Sequence, residues 1–293
     1  NTLNFLTRWR APKNHARRVK AIQTQVQAWE AKDKGLDDNQ ERPKMCSARP
    51  GWQTMSLRVG LYKSTSYKIQ LGDLTEVLEI NTAAQLVKVE PMVTMGQLTH
   101  ALLPLGWTLP VLPELDDLTV GGLIAGVGVE TSSHKHGLFQ HICVHFELVL
   151  ADGTVAHCSA KERPDLFYCV PWSHGTLGFL TCATIKIVPA KPYVKLTYLT
   201  FHTIQPGLDC FEKESRKGSA YDISAGTFAK TDTNFTETKN QDNETVRCAD
   251  FVEAIVFGPE KCVVMLGNMC DAPPKAERSK IHRIGNYYKP WFF

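Results

Sequence analysis

The chain has 293 residues, 43% hydrophobic and 22% charged, which is enough to bury one large core or two smaller ones and too apolar for a disordered chain. No run approaches the ~18 apolar residues of a membrane-spanning helix, and no secretory h-region begins the sequence. The net charge of +3 is uneven: Arg8, Arg10, Lys13, Arg17, Arg18 and Lys20 fall within the first twenty residues with no acid among them, a cluster too short and too poor in stacking residues for nucleic acid.

In chain order, Val19, Ile22, Val26 and Trp29 share one face of a helix expected to end near Lys32. Its basic remainder faces either solvent or anionic lipid headgroups. Residues 31–44 read as a loop. Gln53–Val59 and Leu86–Glu90 alternate as strands, with Ile69–Leu74 and Val77–Ile80 between them. Thr94 is placed to cap a short helix through Leu103, which Gly106 ends.

The segment that carries chemistry is Thr119-Val120-Gly121-Gly122-Leu123-Ile124-Ala125-Gly126-Val127-Gly128-Val129-Glu130-Thr131, followed by Ser132, Ser133 and His134. Glycine lets a backbone lie close to a ligand, and successive amides form a concavity for an anion. Hydroxyls of Thr119, Thr131, Ser132 and Ser133 add donors. Neither G-x-G-x-x-G nor the P-loop spacing is present, so ordinary turns between buried strands are the competing reading.

His145–Val155 then reads as strand, Asp152-Gly153 turn and strand. Asp165-Leu166-Phe167 and Gly175-Thr176-Leu177-Gly178-Phe179 follow, before an alternating strand over Thr181–Val188 that Pro189 closes. Residues 205–250 are polar and read as a partly disordered surface insertion. Val252–Leu266 returns to strand character.

Nine cysteines (Cys46, Cys143, Cys158, Cys169, Cys182, Cys210, Cys248, Cys262 and Cys270) are an odd number at irregular spacing, with no C-x-x-C. They argue for free thiols in a reducing compartment and against zinc; no metal site is expected. The sequons at Asn234 and Asn243 are accordingly read as chance. His134, His136 and His141 lie close in sequence to the glycine segment, and cofactor-loop or packing roles are expected for them. His174 adjoins Gly175.

The ordered series Thr119–Gly122, Ser132–Gly137, Ala151–Gly153, Asp165–Phe167 and Gly175–Phe179 resembles the vanillyl-alcohol-oxidase flavoproteins with their PCMH-type FAD-binding domain. Arg49-Pro50-Gly51-Trp52, Val93-Thr94-Met95-Gly96-Gln97, Gly106-Trp107-Thr108-Leu109-Pro110 and Gly285–Phe293 are similar to the delta(24)-sterol reductases within that group. The likeness is close over residues 45–200, thin over 201–284, and returns at the end.

This resemblance implies an α+β fold: a PCMH-type FAD-binding fold of two α+β subdomains and the start of a truncated substrate domain. The expected organisation is a basic helix and linker (1–44), the FAD-binding domain (45–200), and the insertion with the start of the substrate or cap domain (201–293). It implies FAD held by residues 119–133, by Gly175 and Gly178, and by backbone groups of Ile185, with Arg49 either at a phosphate or at the surface. The family's flavin-linking histidine has no counterpart in Ser47–Trp52, so the FAD is expected to be non-covalent. The implied reaction is NADPH-dependent reduction of the alkene in a sterol's side chain, part of sterol biosynthesis. An isolated trisubstituted alkene needs an acid to protonate its less substituted carbon and a hydride for the resulting tertiary cation. No catalytic acid is identified; Tyr287, Tyr288 and Lys289 are candidates. A membrane surface reached through a missing N-terminal anchor, and a cytosol-facing catalytic domain at the endoplasmic reticulum, also follow from the resemblance. Another FAD-linked oxidase of the superfamily, or a flavin-binding fragment without turnover, are the alternatives.

Overall fold

Apolar residues at helical spacing near the N-terminus become a long helix, α1 (Thr2–Asp33), in the computed structural model, which describes residues 2–33, 43–49, 61–216, 221–222, 227–228, 238–239, 245–246 and 248–282. The expected strand at 53–59, the residues 50–52, both sequon asparagines and the 285–293 motif with Tyr287, Tyr288 and Lys289 lie outside the described residues. The chain divides into two units, Asn1–Pro189 with Ser219–Thr231, and Ala190–Gly218 with Asp232–Phe293.

In the first unit α1 is followed by β1 (Met45–Ser47), α2 (Tyr62–Thr65), β2 (Tyr67–Ile69), β3 (Val77–Asn81), β4 (Leu86–Val89), α3 (Met95–Leu102), β5 (Trp107–Thr108) and α4 (Val120–Ala125). Then come α5 (Ser133–His136), β6 (Cys143–Val149), β7 (Val155–Ser159), α6 (Pro164–Cys169), β8 (Phe179–Lys186) and β9 (Val188–Pro189). Five strands form an antiparallel sheet in the order β3-β4-β8-β6-β7, while β1 and β2 pair in parallel. The main core joins this sheet to α3 and α4 through Val87, Leu98, Ile124, Phe139, Phe146 and Ile185.

Thr94 caps α3 with a full capping box: its hydroxyl accepts from Gln97 N, and the Gln97 side chain accepts from Thr94 N. Gly106, at φ +79°, turns the chain after it. The expected hairpin forms with a longer loop than Asp-Gly alone. Gly153 N donates to Leu150 O and Leu150 N to Thr154 O, a turn completed by left-handed Gly153 at φ +78°.

Rather than preceding the domain as a separate segment, α1 is part of the first unit. Val19, Ile22 and Val26 pack against Ile69, Leu74, Val149 and Phe179. Polar residues complete its inner face. His15 Nδ1 donates to Glu90 Oε1 (2.7 Å) and Nε2 to Glu147 Oε1 (2.9 Å). Arg18 donates to the same Glu90 oxygen and to Glu76. Burial alone would lower the pKa of His15, but the bonds to Glu147 and Glu90 outweigh it and raise it to about 9. The imidazolium and the Thr181 hydroxyl in turn hold Glu147 near 2, against the upward push of burial.

The second unit contains β10 (Tyr193–Phe201), α7 (Ile204–Arg216), β11 (Phe251–Gly258) and β12 (Lys261–Cys270), the strands in antiparallel order β10-β12-β11. β10 pairs with β12 along its whole length, so the unit begins ahead of the expected boundary at residue 200. Residues 205–216, expected within a polar insertion, are helical. Ile204, Gly207, Leu208 and Phe211 recur at helical spacing, and Gly207 brings the helix onto Cys262 of β12.

Candidate functional site

The first half of the glycine segment is a helix and not an open loop. Thr119 caps α4, its hydroxyl accepting from Gly122 N. Val120 N donates to Val93 O, Gly121 N to Pro91 O and Leu123 N to Thr119 O. These four amides are used inside the fold. Gly121 is required by packing, since a Cβ there would lie 2.8 Å from the Pro91 Cβ. Val120, Leu123 and Ile124 point their side chains into the core. Gly122 has the Arg49 guanidinium 3.6 Å from where its Cβ would be. Burial presses the pKa of Arg49 downward.

Beyond α4 the backbone opens. The amides of Val127, Gly128 and Val129 find no acceptor among the described residues, and the two valine side chains are exposed. Gly128 passes so close to Phe139 that a Cβ would approach its Cβ to 2.8 Å. The hydroxyls expected to face a ligand instead shape the loop: Ser132 Oγ donates to Pro110 O, and Ser133 Oγ accepts from Glu130 N. A one-turn segment, Phe139–Ile142, props the loop from below. Phe139 N donates to Gly128 O (2.8 Å) and Gln140 Nε2 to Gly126 O (3.1 Å).

The residues just before Gly175 meet the end of α4. Trp172 N donates to Ile124 O and His174 N to Ala125 O, so residues 172–174 run along the end of α4. Trp172 and His174 take left-handed backbone at φ +59° and +51°, a strained conformation for non-glycine residues that costs of order 1 kcal/mol each. The Trp172 ring meets His141 edge-on at 5.9 Å. Burial lowers the pKa of His141, whose Nδ1 accepts from Leu138 N. His134 Nδ1 donates to Thr131 O. Gly175–Phe179 lines a cleft of about 470 Å³ whose opposite wall is Trp29, Pro43, Lys44 and Met45.

Ile185 does not join them. It lies in central strand β8 between Val87 and Cys143, fully buried. Sequence reasoning missed Gln140, whose only signal was an amide following Leu138 and Phe139, and gave no role to Trp172. All nine cysteines are free thiols, and burial lifts those of Cys158 to about 11 and Cys182 to about 12. Among the described residues no group of three or more His, Cys, Asp or Glu is placed to hold a metal ion.

The donor set suits a dinucleotide. Unused amides follow one another at 127–129, side chains are absent at Gly126 and Gly128, and a guanidinium stands at the start of α4. Residues 46–159 match the family described as FAD binding domain. The chain therefore carries an FAD-binding domain of the PCMH type, α+β in class.

Over nearly all its length it is similar to the delta(24)-sterol reductases. It is 48% identical over 283 residues to Delta(24)-sterol reductase of Homo sapiens, covering 97% of this chain and 47% of that protein. It is 42% identical over 292 residues to the Delta(24)-sterol reductase homolog dhcr-24 of Caenorhabditis elegans (97% and 49%). Against Delta(24)-sterol reductase of Arabidopsis thaliana it is 34% identical over 287 residues (96% and 45%). The chain spans about half the length of these curated relatives.

Proposed function

We propose that this chain is the FAD-binding part of a sterol reductase that saturates the alkene in a sterol's side chain, with NADPH as reductant. The observation that carries the reading is the 48% identity to a named delta(24)-sterol reductase over 97% of the chain, joined to residues 172–174, just before Gly175, hydrogen-bonded to the end of α4. Bound FAD supplies the hydride for the alkene. The protein's residues hold and orient it. The amides of Val127, Gly128 and Val129 would hold the pyrophosphate, Arg49 would add charge, and Gly175 and Gly178 would form the second wall. Thr119 to Glu130 and Thr131 to Ser133 fix the loop that presents these amides. With no histidine in Ser47–Trp52, the flavin is held without a covalent bond.

The enzyme's place is the endoplasmic reticulum membrane, with the catalytic domain toward the cytosol. The free cysteines, and Arg17 and Lys20 exposed on the outer face of α1, support this placement. The purified protein is expected to show twin visible flavin bands that acid releases completely, and to bleach anaerobically on adding NADPH. A protein that stays colourless in excess FAD refutes the reading. Reduction by alcohols but not by NADPH favours an oxidase of the same superfamily. Bound flavin without conversion of a side-chain-unsaturated sterol identifies a binding fragment.

A further inference from the structure

Gln140 is buried, yet only half of its side-chain amide is used. Nε2 donates to Gly126 O, and Oε1 is buried with no hydrogen-bond partner among the described residues. Folding alone gives no reason to keep such a group. An unsatisfied buried acceptor destabilises, and an apolar side chain of the same shape would remove both the cost and the bond. What the bond does is local. Gly126 follows the last residue of α4, and the backbone leaves the helix there at φ −100°, ψ −122° to present the amides of residues 127–129. The neighbouring Phe139 N–H fixes Gly128 O, and His141 of the same turn packs on Trp172. One turn thus holds the carbonyls of Gly126 and Gly128 and packs on Trp172, whose own amide bonds to the end of α4.

We infer that Gln140 is a positioning residue for the dinucleotide: it trades fold stability for a fixed carbonyl at Gly126, and so for the direction of the amides that follow. The inference rests on the FAD reading above. It assigns Gln140 no contact with the cofactor, since its free oxygen is sealed from solvent. The fold tolerates its loss; the loop does not.

The test compares the wild-type protein with Gln140→Met, which keeps length and shape but removes donor and acceptor. Three quantities are read: the melting temperature without FAD, the FAD dissociation constant by quenching of flavin fluorescence, and amide hydrogen exchange. The expected result is an unchanged or higher melting temperature, FAD binding weakened at least tenfold, and faster exchange at residues 127–129 with β6 and β8 protected as before. Gln140→Glu, which keeps the acceptor but not the donor when ionised, is expected to show the same loop exchange. FAD affinity within twofold of wild type in Gln140→Met overturns the inference. So does a variant that loses protection in β6 and β8, because the amide is then needed by the fold itself. Failure of the wild type to bind FAD refutes the underlying reading instead, and the exchange pattern still reports on the brace.

Discussion

His15 stands four residues before Val19, where the helical repeat calls for an apolar side chain, and it is buried between two carboxylates. Breaking such a cluster leaves Glu147 without its main partner, so His15→Leu is expected to cost about 3–5 kcal/mol in urea unfolding at pH 6. The pH dependence follows from the two shifts. The pKa of His15 rises on folding from 6.5 to about 9, so its contribution is whole below pH 6.5 and drains away as pH climbs toward 9. Glu147 falls from 4.5 to about 2, so its contribution is whole above pH 4.5 and is lost as pH drops toward 2. The difference in unfolding free energy between wild type and His15→Gln is therefore expected to be flat between those limits and to shrink on the alkaline side. A difference that grows from pH 7 to 9 would contradict the assignment. None of this could be read from the sequence, because a histidine and an arginine in a basic helix look like solvated charge until Glu90 and Glu147, 75 and 132 residues away, are brought beside them.

At the scale of elements, α4 shows what glycine does at each position. Gly121 commits its amide to Pro91 and has no room for a methyl group. Gly121→Ala is expected to lower stability by about 1–3 kcal/mol, through overpacking. Thermal unfolding should show this loss equally with and without FAD, while the folded fraction binds FAD within about twofold of wild type. The helix at 95–102, the hairpin and the strand of residues 179–186 were legible because capping residues, an Asp-Gly pair and period-two alternation act locally. The glycine segment stood out by its composition, but its shape was not legible. Its first four amides are consumed by contacts with Pro91, Val93 and Thr119 that no spacing rule encodes. The strand of Ile185 was legible from its alternation, but not its central place, because its partners Val87 and Cys143 come from distant parts of the chain.

For the whole molecule, a ligand that binds only the folded first unit stabilises it by mass action. At a free FAD concentration a hundredfold above the dissociation constant the gain is about 2.7 kcal/mol. For a unit of this size that corresponds to a rise of roughly 5–10 °C in its calorimetric midpoint, and a midpoint that does not move with FAD would tell against binding there. The stretch recognised as an FAD-binding family ends at residue 159, yet strand β8, which holds β4 and β6 together, lies at 179–186. The helix that neutralises Glu90 and Glu147 lies wholly before residue 46. A gene trimmed to those family limits would therefore encode a sheet without its middle and two buried acids without their counterions, and its product would be insoluble however faithfully it kept every glycine of the loop.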